Sequence, residues 1–366
     1  MTRNLRPLAL AALPLLGACD LLDDVLSEFD GDLETRNFSV DSSDGKALID
    51  VELDGQESFQ LTATSGQLVA VEAIYDADGD RVLYWEDWYG TESLTGAVWL
   101  EGQDTVLNWP VRAVDPELTA GTWQVEVGVV DSEGYYTDAP VDAVLKLKQD
   151  PDLSDGTVSV RIVYTDGLMQ DAVVSAGVQA AVTRWEEVWS PYGLQLEPEY
   201  ESSAYSNDQA FPGESGEHDD LAQDASGSEV TVLIAETIDG DVGYYGIAGS
   251  IPGTLDHTGR ALVVVSWLAN AGGDGTFSDD DIRLFGETLA HEVGHYMGLF
   301  HPVEMTWDYW DALSDTDACQ GQGDCESGLG DNLMFPYPVC DWTDCTAQDQ
   351  LTSGQTGVSH RYTGTL

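Results

Sequence analysis

The chain has 366 residues, enough for two ordinary domains, and 42% of them are hydrophobic, so most of it can bury a core. Sixty-seven acidic residues face thirteen basic ones, for a formal net charge of −54. The three lysines are Lys46, Lys146 and Lys148, and a surface of this kind repels phosphate and excludes a nucleic-acid partner. Either a solvated acidic coat or calcium sites in Asp-rich loops would account for the excess of acid, and the two are compatible.

The first eighteen residues read as a targeting segment. Arg3 and Arg6 precede an apolar run from Leu8 to Leu16, which is too short to span a membrane. Leu16-Gly17-Ala18-Cys19 follows and resembles the bacterial lipobox, which implies a lipid on Cys19 and a mature chain starting there. The alternative is an ordinary cleaved signal with an incidental cysteine. Both readings take the chain out of the cytoplasm, to a bacterial cell envelope as a lipid-anchored protein or into the medium. Asp20 resembles an inner-membrane retention signal of some bacteria. Residues 19–34 are acidic and read as a tether.

Residues 35–150 have a β pattern. Short alternating runs occur at Ser58–Thr62, Leu68–Ile74, Val82–Trp85, Gly96–Leu100, Thr122–Val130 and Val141–Leu147, separated by Gly- and Asp-rich turns. Asp76-Ala-Asp-Gly-Asp80, Leu83-Tyr-Trp85 and Gly121-Thr-Trp-Gln-Val through Asp131-Ser-Glu-Gly134 resemble PKD and cadherin-like modules, which implies an immunoglobulin-like β-sandwich. Asp76, Asp78 and Asp80 are candidate calcium ligands. They depart from the EF-hand loop because Arg81 stands where that loop needs glycine, and a solvated turn is the competing reading.

Residues 151–366 change character. Val158–Tyr164 reads as a strand. Asp171–Val188 has helical spacing, with Val174, Val178, Val182, Trp185 and Trp189 on one core-facing side. Glu229–Ala235 and Ala261–Trp267 are apolar strand runs, and the Gly- and Pro-rich stretch between them, Tyr244 to Gly253, reads as an irregular edge strand. Ser278 and Asp281 predict a capped helix start with acids at the positive end of its dipole.

That helix carries His291-Glu292-Val-Gly-His295-Tyr-Met-Gly298-Leu-Phe-His301. Histidines four apart share a helix face and can hold one ion. Gly298 can turn the chain left-handed so that His301 reaches the same point. Three histidines leave a fourth zinc position open, and Glu292 is placed to act as a base without being a ligand. Three of the six histidines in the chain fall in this window.

The motif resembles the metzincin clan of zinc metalloproteases. The resemblance implies a mixed twisted sheet with an active-site helix in an α+β catalytic domain. It also implies zinc bound by His291, His295 and His301, and a methionine under the ligands. Asn332-Leu-Met334-Phe supplies that methionine; Met305 is too close to His301. Within the clan, Asp315-Thr-Asp-Ala-Cys319, the cysteines around Met334 and Leu351-Thr-Ser-Gly-Gln355 are similar to the pappalysins. The chain departs from them at Pro302 and at Pro336, which displaces to Tyr337 the tyrosine that would help stabilise an oxyanion.

Cys319, Cys325, Cys340 and Cys345 predict two disulfides in an exported chain, in any of three pairings; a second zinc site is the alternative. The pappalysin resemblance implies the crossed pairing, Cys319–Cys340 and Cys325–Cys345. The function expected is zinc-dependent endopeptidase acting on an extended peptide laid along Gly246–Ile251, with Glu292 as general base. The alternative is a surface adhesion or binding lipoprotein that retains an inactive protease fold.

Overall fold

The computed structural model describes residues 28–30, 33–88, 90–149, 153–165, 167–203, 229–256, 258–316, 318–340 and 345–366. Residues 1–18, Cys19 and most of the expected tether lie outside them. Among the described residues no helix is long and apolar enough to cross a membrane.

The first sheet has eight strands, all paired antiparallel: β1 (Glu28–Asp30), β2 (Leu33–Asp41), β3 (Lys46–Leu53), β4 (Ser58–Tyr75), β5 (Arg81–Tyr84), β7 (Gly102–Trp109), β8 (Gly121–Val130) and β9 (Pro140–Lys148). β6 (Glu92–Ser93) lies outside it. The eighteen-residue β4 explains the architecture. Its first half pairs with β9 and β7, and its second half with β8 and β5, with register shifts between. One long strand therefore joins what the sequence predicts as two separate sheets of a sandwich, and the hydrogen bonding is continuous through it. Ala47, Ile49, Val51, Leu61, Trp123, Val125, Leu145 and Leu147 fill the interior.

Three local expectations change. Gly96–Leu100 is not a strand: Gly96–Val98 forms a 3-10 turn capped by the Thr95 hydroxyl, and the Gly96 N–H leaves the sheet to bond Ile251 O at 2.7 Å. The tether cannot extend to residue 34, because β1 and β2 begin within it and Leu33 is buried. β2, β3 and β7 join the expected strands; β3 alternates exposed and buried throughout.

The second sheet has the order β11-β10-β12-β14-β13, from β10 (Gly156–Tyr164), β11 (Leu194–Ser202), β12 (Val230–Ala235), β13 (Gly246–Ala248) and β14 (Val263–Ser266). Its pairings are parallel except for β13, which runs antiparallel at the edge. Every residue of β12 is buried, as expected for a strand covered on both faces. One face packs α1 (Ala172–Trp189) and α3 (Asp279–Tyr296). The Asp171 carboxylate caps α1, and Ser278 with Asp281 forms the predicted capping box of α3. A short helix, α2 (Trp267–Asn270), follows β14, and α4 (Gln322–Leu329) and α5 (Ser353–Arg361) complete the chain. β15 (Trp310–Asp311) pairs with β6 of the N-terminal part.

The first sheet docks on the second unit through buried polar side chains. Gln60 on β4 donates to Gly253 O (3.0 Å) and accepts from Leu255 N–H (2.6 Å). Asn108 on β7 donates to Arg361 O and accepts from Thr363 N–H. The Lys148 ammonium, 1% exposed, donates to the carbonyls of His360 and Thr365. Each of these groups would cost on the order of 1–3 kcal/mol if left buried without its partner, so the contact selects one docking geometry.

The disulfide pairing implied by resemblance is wrong. Cys319 bonds Cys325 and Cys340 bonds Cys345. Cys325 lies in the first turn of α4, one short loop from Cys319, with 5.1 Å between Cα atoms. Cys340 and Cys345 face each other as an antiparallel bridge. Each thiol therefore meets its sequence neighbour before it can reach the other pair.

Candidate metal centre

α3 continues to Tyr296, and its end is built from glycine. Gly298 takes φ +103°, its N–H bonds His295 O at 2.9 Å, and Leu299 N–H bonds Gly294 O at 3.0 Å. This is the left-handed helix stop expected from the sequence, and it returns the chain so that His301 faces His291 and His295. Ligand atoms of the three histidines lie within 4.8 Å of one another.

The outer ring nitrogens fix the tautomers. His291 Nδ1–H donates to Leu333 O (2.7 Å), His295 Nδ1–H to Leu299 O (2.6 Å), and His301 Nδ1–H to the Glu304 carboxylate (3.0 Å). With each Nδ1 carrying a proton, each Nε2 is left as a lone pair. His295 Nε2 and His301 Nε2 stand 3.1 Å apart, so two acceptors face each other with no proton to share. That arrangement is repulsive by itself and becomes favourable around a cation. The donor set suits zinc: three neutral imidazoles, each held by an outer acceptor. Burial first, then the electrostatic influence of the neighbouring His301 ring, drives the His291 pKa down to about 3. Burial, then His291 and His301, pushes His295 down as well. Neither ring is prepared to be a cation here.

Glu292 is buried, and burial lifts its carboxyl to about 8 against the pull of the Ala248 N–H. Its position depends on Gly246, because a Cβ there would overlap the Glu292 side chain. The carboxyl group is thus laid against the outer edge of β13, which no described strand pairs. Met334 is fully buried and its sulfur lies against Gly294, between the first two histidines on the helix, where any Cβ would crowd it. Met334 N–H bonds the Asn332 side chain, which in turn pairs with Gln355.

A cavity of about 380 Å³ opens beside His291 and Glu292, lined by Tyr244, Gly246, Thr288, Leu333, Phe335 and Tyr337 among others. Tyr337 reaches this cavity, but its hydroxyl donates to Glu326 at 2.8 Å and is pushed up to about 12 by burial and by that carboxylate. Behind the cavity Glu287 is held by Arg184 (2.8 Å) and Arg283 (3.0 Å). Asp76, Asp78 and Asp80 form a closed turn instead of a cage: the Asp76 carboxylate accepts the N–H groups of Asp78 and Asp80. Among the described residues only the three histidines gather ligand atoms, so the calcium expectation has no support.

Sequence reasoning missed Glu304, the contact of Gly246 with Glu292 and the pairing of Asn332 with Gln355. Glu304 lies three residues past His301, and a carboxylate that close to a ligand was a readable signal. Gly246 and Gln355 act across long sequence separations and gave none.

No protein-family model matches the chain, and comparison with curated proteins finds no match. Among solved structures the chain is similar to an archaemetzincin from Methanopyrus kandleri, at 17% identity over 57% of this chain and 88% of that one, with a TM-score of 0.27. It is also similar to metalloproteinase-II from Bacteroides fragilis, at 13% identity over 51% of this chain and 62% of that one, with a TM-score of 0.29. Scores this low carry no weight, and the functional reading rests on the site itself.

Proposed function

We infer that the chain is a zinc-dependent endopeptidase with the active site on α3. The observation that carries this is the convergence of three unprotonated Nε2 atoms beside the buried Glu292 carboxyl group and a strand edge that no described strand pairs. His291, His295 and His301 would hold the ion, which would supply Lewis acidity towards a peptide carbonyl and a water. Glu292 takes the proton of the attacking water and returns it to the leaving nitrogen. The outer edge of β13, which no described strand pairs, binds an extended peptide backbone to backbone. The 380 Å³ cavity receives one of its side chains. Leu333 O, Leu299 O and Glu304 orient the three rings. Met334 floors the site. A role for Tyr337 on the oxyanion requires its hydroxyl to leave Glu326.

The finer assignments belong to the same reading: a metzincin of pappalysin type, spanning 151–366, following an immunoglobulin-like module over 35–150 and a lipid on Cys19 that would hold the enzyme at the cell envelope. Hydrolysis of casein tests the core of it. Activity should vanish with a chelator and return with zinc. No activity in zinc-loaded protein would favour a binding lipoprotein with a dead site, and chelator-resistant activity would mean that hydrolysis does not depend on a metal at the three histidines.

A further inference from the structure

A second cavity, about 460 Å³, lies in the N-terminal sheet unit and has none of the three histidines in its lining. Trp85, Trp99, Leu100 and Tyr136 form its walls, and Glu72 lies in its lining. Glu72 is buried, yet Gly128 leaves room for it: a Cβ there would collide with the carboxylate. Its oxygens accept the Tyr136 hydroxyl and the Lys46 ammonium (2.7 Å), and Lys46 also meets Glu126 at 2.8 Å. Two carboxylates, Glu72 in the lining and Glu126 outside it, share one ammonium, so the group at the polar end keeps a net negative charge. The rest is aromatic and aliphatic. Leu100 stands half exposed at the rim.

The cavity adjoins the peptide-binding edge. Beyond β13 the chain runs on through Gly249 to Ile251, and that run is clasped by the segment that forms the cavity wall. Gly96 N–H holds Ile251 O, and Arg260, which holds Gly249 O, pairs with Glu101 at 2.9 Å. The Trp99 ring packs edge-on against Phe300, next to His301, with centroids 5.5 Å apart. A peptide lying along β13 away from the 380 Å³ cavity runs towards this wall.

We propose that this cavity is a second binding site for the peptide substrate, taking a basic side chain some residues from the scissile bond. The apolar stem of an arginine or lysine packs on the Trp and Tyr rings, and its cationic head meets the Glu72–Glu126 end. The strongly acidic surface draws such peptides in. This rests on the peptidase reading for its substrate, and the test separates the two.

Full-length protein is titrated with N-acetyl-arginine amide, followed by saturation-transfer NMR, with N-acetyl-norleucine amide and maltose as controls. The arginine amide should bind and the controls should not. Glu72→Gln and Leu100→Lys should each weaken it about fivefold or more, the scale of one partly exposed charge pair; Leu100 is exposed enough that its variant folds. Equal binding of norleucine amide or maltose, or wild-type binding in both variants, overturns the site. In a peptide series with one arginine moved stepwise along either side of a fixed cleavage site, kcat/KM should peak at one spacing, and Leu100→Lys should remove that peak. A flat series in an active enzyme overturns the link to the substrate. Arginine amide binding without casein hydrolysis would instead sink the peptidase reading and leave the cavity standing.

Discussion

The two halves of the molecule bury polar groups for opposite reasons. Around α3, the buried polar groups are His295, Glu292 and the inner face of His291, and their partners inside the protein leave the chemically active atoms free. On the docking face of the first sheet, Gln60, Asn108 and Lys148 are equally buried, and their polar atoms are taken up by backbone groups across the interface. Unspent lone pairs in the first case and complete pairing in the second separate a reactive site from a structural joint, although residue type and burial are alike.

The sharpest way to break this contrast is Glu292→Ala. It removes a base and no ligand, so peptide hydrolysis should fall by at least about 10³-fold while metal is retained. Turnover within tenfold of wild type would place the base elsewhere. Gly246→Ala comes next. Its Cβ must displace the Glu292 side chain, and a shift of that size should cost about 10²-fold in kcat with little change in folding; an unchanged kcat would show that the carboxylate need not lie against β13. Gln60→Ala tests the other region. It strands Leu255 N–H and removes one of the two donors to Gly253 O, the Tyr362 hydroxyl being the other, and thermal unfolding should show a loss of about 1–3 kcal/mol. An unaltered melting temperature would mean that the interface is wet or loose.

The remaining test is pH. His291 and His295 have folded pKa values below the ordinary 6.5 because they are buried. The unfolded chain therefore binds more protons below about 6.5, so their contribution is complete above that pH and is lost as pH falls towards the folded value. In metal-free protein each histidine should remove at most about 1.4 kcal/mol per pH unit over that window. A melting temperature flat from pH 7 to 5 would argue that the rings are hydrated in solution.

The same contrast explains what the sequence could reveal. The histidine motif is local: i,i+4 spacing, one glycine stop and a capping box at Ser278 all act within a few turns, and each is found where it was read. The apolar periodicity of α1 and β12 is equally local. The first sheet is different. β4 runs unbroken through Ser65, Gly66 and Gln67, which read as a turn, because β9, β7 and β8 hold both of its halves. Gly96–Val98 abandons the strand for a carbonyl 155 residues away. Disulfide partners and the second cavity are likewise set by tertiary proximity, for which spacing offers no rule.

The central claim is that the three histidines form one zinc site. Elemental analysis of purified full-length protein and of His295→Ala, both dialysed against metal-free buffer after zinc loading, tests it most directly. Wild-type protein should retain one zinc per chain and the variant less than about a tenth of that, since two imidazoles cannot hold the ion at comparable affinity. One full equivalent of zinc in His295→Ala, or none in wild type, would contradict it.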